Sequence, residues 1–130
     1  MPGKSVFFLN YCSIISLPDS IGILSSLVML NLCVNQLTHL PDSIGNLSSL
    51  TRLCVSHNQL ASLPESIGNL ASLIQLRVNH NPLTHLPDSI RNLKSLILLR
   101  VHNTPCSSTD QGRDEVMFRF YRVGMTIIFD

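Results

Sequence analysis

The sequence predicts an α/β solenoid: a curved stack of short parallel strands, with 3₁₀ or short helical turns outside and a C-terminal cap. Three observations predict it. A 23-residue unit starts over at Leu17, Leu40, Leu63 and Leu86, each time as Leu-Pro-(Asp/Glu)-Ser-Ile. One half of each unit carries Leu-x-Leu or Leu-x-Val, the alternation of a strand with one buried face. The other half spaces its apolar residues three apart, as in Ile44, Leu47 and Leu50. Units of this size cannot bury an apolar edge alone and do so by stacking on their neighbours.

In chain order, Phe7-Leu9, Leu30-Leu32, Leu53-Val55, Leu76-Val78 and Leu99-Val101 are the expected strand cores. Strands that recur in one direction at a fixed interval must form a parallel sheet, here of about five rungs. The intervening Pro-Asp-Ser-Ile-Gly-Asn-Leu segments fit 3₁₀ or single helical turns. Proline opens each where a missing N–H costs nothing, and the acid beside it complements the local dipole. Gly22, Gly45 and Gly68 weaken regular helix, so this outer side should be thin. The column Asn35, Asn58, Asn81 suits side chains that bond the otherwise unpartnered backbone of adjacent coils.

The ends differ from the middle. All seven aromatic residues lie outside the regular repeats: Phe7, Phe8 and Tyr11 at the start, Phe118, Phe120, Tyr121 and Phe129 at the end. A solenoid exposes core at both ends, and capping segments cover it. Asp110 to Tyr121 suits an amphipathic helix with Val116 and Phe120 at i, i+4 and Met117 beside them. Met125 to Phe129 suits an added edge strand. Val6 to Leu17, after Lys4, reads as a leading half-repeat rather than a signal peptide. Phe7, Leu9, Ile14 and Leu17 stand one period before Leu30, Leu32, Leu37 and Leu40. The organisation is thus a half-repeat or cap over 1–16, four repeats over 17–105, and a capping segment over 106–130.

The repeated Leu-Pro-x-x-Ile-Gly-x-Leu and Leu-x-x-Leu-x-(Leu/Val) motifs resemble those of the leucine-rich repeat family, over about Phe7 to Pro105. The variant is similar to the intracellular class found in Ras-suppressor and scribble-type scaffolds, and in effectors of intracellular bacterial pathogens. The resemblance implies a curved horseshoe segment whose concave sheet binds protein partners, and it does not imply catalysis.

Composition fits that expectation. The chain has 130 residues, 45% of them hydrophobic, no tryptophan, 13% charged residues and a net charge of +1. That balance gives no overall pull toward nucleic acid or membrane, and no apolar run reaches the ~20 residues that span a bilayer. Cys12, Cys33, Cys54 and Cys106 form no CxxC pair. Cys33 and Cys54 fall on adjacent strands two residues out of step, which separates straight-strand Cα atoms by roughly 8 Å. They are therefore expected as free thiols of a reducing, intracellular compartment, and the effector resemblance extends this to a host cytosol.

Residues that flank the buried strand positions should point outward on the concave face. Phe8, Asn31, Cys54, Arg77 and Arg100 form one column, and Val6, Met29, Arg52, Gln75 and Leu98 the column before it. Asn10, Cys33, Ser56, Asn79 and His102 follow, with His57 and His80 at the strand exits. Here the repeats stop agreeing with one another, as recognition positions do on a fixed scaffold. Arg77 and Arg100 sit on neighbouring strands about 4.8 Å apart, without a carboxylate in their columns. The acids Asp19, Asp42, Glu65 and Asp88 all follow proline on the far side.

The predicted docking set is therefore Phe8, Met29, Asn31, Arg52, Cys54, His57, Gln75, Arg77, Asn79, His80, Leu98, Arg100 and His102. Arginine and aromatic residues dominate interface energetics. The expected partner is a protein with an acidic or polar surface, and the expected role is that of a small adaptor or inhibitor. The alternative is a structural or fragmentary solenoid that self-associates through an exposed end. His57, His80 and His102 lack a completing ligand for zinc. Cys54 near His57 lacks an orienting group and an oxyanion donor, so neither cofactor, metal nor enzymatic activity is expected. Three arginines without stacking aromatics are too few for nucleic acid.

Overall fold

The computed structural model describes residues 5–129; the start of the expected 1–16 segment, including Lys4, and the last residue of 106–130 lie outside them. Six parallel strands form one sheet in chain order: β1 (Ser5–Phe8), β2 (Leu27–Asn31), β3 (Arg52–Cys54), β4 (Gln75–Arg77), β5 (Leu98–Arg100) and β6 (Thr126–Ile128). The sixth strand comes from the Met125–Phe129 segment and pairs with β5 through Leu99 and Ile127. The outer side carries 3₁₀ turns at Asp19–Ile23, Asp42–Asn46, Glu65–Asn69 and Asp88–Asn92. Pro18, Pro41, Pro64 and Pro87 enter these turns at φ between −72° and −65°.

Between sheet and turns lies a single file of aliphatic layers. Leu30, Leu53, Leu76 and Leu99 from the strands meet Ile44, Ile67 and Ile90 from the turns, all essentially without exposed surface. The turns themselves pack closely. A Cβ at Gly45 or Gly68 would come within 2.5 Å of the carbonyl oxygen of Ser66 or Ser89 in the next turn. Glycine is therefore a packing requirement as well as a helix weakener. Arg91 takes the equivalent place in the last turn, whose neighbour is no longer a repeat.

The asparagine column ties the coils together. Asn58 Nδ2 donates to Val55 O at 2.9 Å in its own coil and to Leu32 O at 3.0 Å in the preceding one. Its Oδ1 accepts from Leu37 N at 3.0 Å. Asn35 and Asn81 repeat the arrangement one coil away on either side.

A helix, α1 (Asp110–Phe120), closes the C-terminal end, with Thr109 Oγ1 accepting from Gly112 N at its start. Val116 and Phe120 face the core. Met117, expected beside them, is exposed because it lies on the adjacent flank of the helix. Arg122 donates to the carbonyls of Leu93 and Leu96, and Arg119 bridges Glu115 and Asp88 at 2.9 and 2.7 Å. Among the described residues no helix is long and apolar enough to cross a membrane.

Two expectations are corrected. Phe7, assigned to a buried strand position, is 36% exposed, because no rung among the described residues covers the outer edge of β1. Cys33 and Cys54, expected as free thiols, are joined in a disulfide with their Cα atoms 5.9 Å apart. The straight-strand separation does not apply because β2 ends at Asn31. The chain then bends, with Cys33 N donating to Asn31 Oδ1 at 3.0 Å and Val34 at φ +58°. This pair therefore gives no argument for a reducing compartment; Cys12 and Cys106 are free.

Candidate protein-docking face

Register places two of the predicted columns directly. Val6, Met29, Arg52, Gln75, Leu98 and Thr126 follow one another across β1 to β6, as do Phe8, Asn31, Cys54, Arg77, Arg100 and Ile128. Strand alternation sends these side chains to the face opposite the Leu30–Leu53–Leu76–Leu99 core. Phe8 is 64% exposed, Arg52 is exposed, and Met29, Asn31, Cys54, Gln75, Arg77, Leu98 and Arg100 are half-buried by their neighbours. Thr126 and Ile128 extend both columns and were missed. The edge strand was legible in Met125–Phe129, and its alternation places Thr126 and Ile128 on this face, since Met125, Ile127 and Phe129 pack on the core.

The third column departs from expectation. Ser56 and Asn79 are buried and Cys33 and His102 half-buried, because each strand has already ended two residues earlier. Simple alternation no longer holds past that point. Asn79 instead turns sideways, its Nδ2 3.1 Å from His80 Nδ1.

The strand exits carry a ladder of imidazoles. His57 and His80 stack with centroids 4.0 Å apart and planes 16° from parallel, while His102 meets His80 edge-on at 5.2 Å. His80 Nε2 lies 2.8 Å from Asn103 Nδ2. Burial, reinforced by His57 and His102, holds the His80 pKa below its ordinary value. These rings stack rather than converge, and no group of three or more His, Cys, Asp or Glu among the described residues forms a metal-binding set.

Beside the ladder, Arg52, Arg77 and Arg100 form the charged part of the face. Arg77 lies opposite Arg100 in the sheet, and like charges so placed are unfavourable. Burial first, then Arg100 and Arg52, lowers the pKa of Arg77. Among the described residues no carboxylate forms an ion pair with any of the three, and Arg100 Nε is buried without a hydrogen-bond partner. The face thus holds more positive charge than the described residues neutralise.

A one-directional sheet that exposes a varied concave face on an invariant scaffold defines a solenoid binding protein. The chain belongs to the leucine-rich repeat family. A model described as a leucine-rich repeat region matches residues 6–81, and a single leucine-rich repeat model matches 72–93. A leucine-rich repeat protein of Leptospira interrogans is 32% identical with a TM-score of 0.82, over 90% of this chain and 29% of that one. YopM of Yersinia enterocolitica is 31% identical with a TM-score of 0.62, over 76% of this chain and 20% of that one. An internalin of Listeria monocytogenes shares the fold at 22% identity and a TM-score of 0.71, over 95% of this chain and 33% of that one. The chain thus spans about a third or less of these three structures. No curated protein matches it. Proteins of this fold are in general protein-interaction scaffolds rather than enzymes.

Proposed function

We propose that the chain is a small adaptor or inhibitor that docks a partner protein on its concave face, and that the partner presents an acidic or polar surface there. The observation that carries this reading is the arginine cluster Arg52, Arg77 and Arg100, which is crowded, partly desolvated and without a carboxylate counterpart among the described residues. Supplying that negative charge from a partner relieves the repulsion and favours rapid, oriented encounter. Phe8, Met29, Leu98 and Ile128 flank it with apolar contact surface. Six rungs span only about 24 Å, so a protruding loop or compact lobe fits better than a flat surface.

The test is capture of partners from the native proteome by the wild type and by Arg77→Glu/Arg100→Glu, after circular dichroism shows both to fold alike. The reading expects a partner held by the wild type and lost by the variant. Equal retention by both would move the interface away from these arginines.

A second reading rests on a different observation. Val6, Phe8, Tyr11 and Ile15, 43%, 64%, 75% and 66% exposed, lie at the first rungs, where no strand among the described residues pairs with the outer edge of β1. This favours self-association through that end. Sedimentation would show an oligomer that grows with concentration and is indifferent to Arg77→Glu/Arg100→Glu.

A further inference from the structure

We propose that the Cys33–Cys54 pair is a thiol–disulfide exchange site for a small thiol that carries carboxylates, of the glutathione class. The proposal stands apart from the protein-docking reading. The two sulfurs lie at a concavity of about 250 Å³ on the concave face, which Met29, Asn31, Arg52, Ser56 and Arg77 also line. Three features suit this place to exchange. The bond is half-exposed rather than sealed in the core. The Ser56 hydroxyl lies 3.1 Å from Cys33 Sγ and 3.2 Å from Cys54 Sγ, in reach of a sulfur that gains charge. Arg77 lies opposite Cys54 in the register, and Arg52 precedes Cys54 by two residues along β3.

Position decides the direction of attack. A thiolate leaves faster where nearby cations and donors stabilise it. Arg52 and Arg77 neighbour Cys54 in the sheet, along β3 and across to β4, so we assign Cys54 as the leaving sulfur and Cys33 as the one attacked. The incoming thiol first loses its proton to solvent. Its thiolate electron pair forms a new S–S bond to Cys33 Sγ, the Cys33–Cys54 bond breaks, and that bond's pair stays on Cys54 as a thiolate. One thiolate and one disulfide are consumed, and one mixed disulfide and one thiolate are produced. A second thiolate attacks the small-thiol sulfur of the mixed disulfide. The symmetric small disulfide is released and Cys33 leaves as a thiolate. The same arginines, which line the concavity, attract a carboxylate-bearing reagent over a cationic one, since opposite charges attract and like charges repel.

The experiment uses the full chain after mild oxidation. Non-reducing peptide mapping first tests for the Cys33–Cys54 link. Intact mass and fragment spectra then follow mixed-disulfide formation at neutral pH with glutathione and with cysteamine, a cationic thiol. Each rate is normalised to that thiol's rate against a small uncharged disulfide. The expected result is addition at Cys33 with glutathione faster by about tenfold, and a ratio near one in Arg52→Gln/Arg77→Gln. Should that variant not fold, the wild-type ratio must fall toward one in ~1 M salt, where screening reaches about 3 Å. Absence of the link after oxidation, addition confined to Cys12 or Cys106, equal normalised rates, or a ratio indifferent to salt would each overturn the proposal.

Discussion

Tyr11, Val34, His57, His80 and Asn103 stand one period apart, and all five adopt left-handed backbone with φ between 54° and 58°. This is the hinge at which each strand turns toward the asparagine that ties the coils. Asparagine and histidine tolerate that conformation, but a β-branched residue is strained in it. Val34→Asn is therefore expected to raise stability by about 1 kcal/mol, read as a higher melting temperature. An unchanged or lower one would show that Val34 packing outweighs the strain. The column was hidden in the sequence because Tyr, Val, His, His and Asn share no side-chain property, only a backbone angle. His57 and His80 were legible as polar groups at the strand exits, while their stacking was not.

That stacking has a pH consequence. Burial and the neighbouring rings His57 and His102 lower the His80 pKa in the folded state. Below the ordinary histidine value the unfolded chain then binds a proton that the folded chain resists. The His80 contribution is fully present above that value and is lost as pH falls through it toward the lowered folded pKa. Urea titrations between pH 7 and pH 5 should show stability declining with acid. His80→Asn, which keeps a residue suited to left-handed backbone, should flatten the decline.

At the scale of the element, the outer turn and the asparagine rung decide whether coils can stack. Gly68→Ala places a Cβ 2.5 Å from the Ser89 carbonyl oxygen and 2.6 Å from its Cβ, and neither can retreat as a flexible side chain would. The expected cost is about 1–3 kcal/mol. Arg91→Ala, at the same position of the last turn and exposed, should change stability by only ~0.5 kcal/mol or less. Comparable losses at both positions would refute the close-approach account. Asn58→Leu strands the buried groups of Leu32, Leu37 and Val55, and denaturant unfolding should show a loss of about 3–5 kcal/mol. The strands, turns and asparagine ladder were legible because each imposes a fixed interval on residue type. The role of glycine was only half legible, since the sequence shows helix weakening but not which atom lies opposite. The Cys33–Cys54 contact was misread because strand geometry was carried past the point where β2 ends.

At the scale of the whole molecule, a net charge of +1 conceals a polar division. Arg52, Arg77 and Arg100 crowd the concave sheet, while Asp19, Asp42, Glu65 and Asp88 are exposed on the opposite turns. The sequence placed both sets correctly through register and repeat position. Thr126 and Ile128 were missed although their edge strand was expected, because their place in the columns depends on β6 docking against β5 rather than on the repeat. Nor could the sequence show that Ser56 and Asn79 are buried by their neighbours. The measurement that tests the central claim most directly is the affinity of a captured partner for three forms of the full chain: wild type, the concave reversal Arg77→Glu/Arg100→Glu, and the convex reversal Asp42→Lys/Glu65→Lys. Concave docking to an acidic surface predicts at least about a hundredfold loss for the concave reversal, as for truncated charge pairs at interfaces, and little change for the convex one. An affinity that falls with the convex reversal and survives the concave one would place the interface on the outer turns and contradict the account.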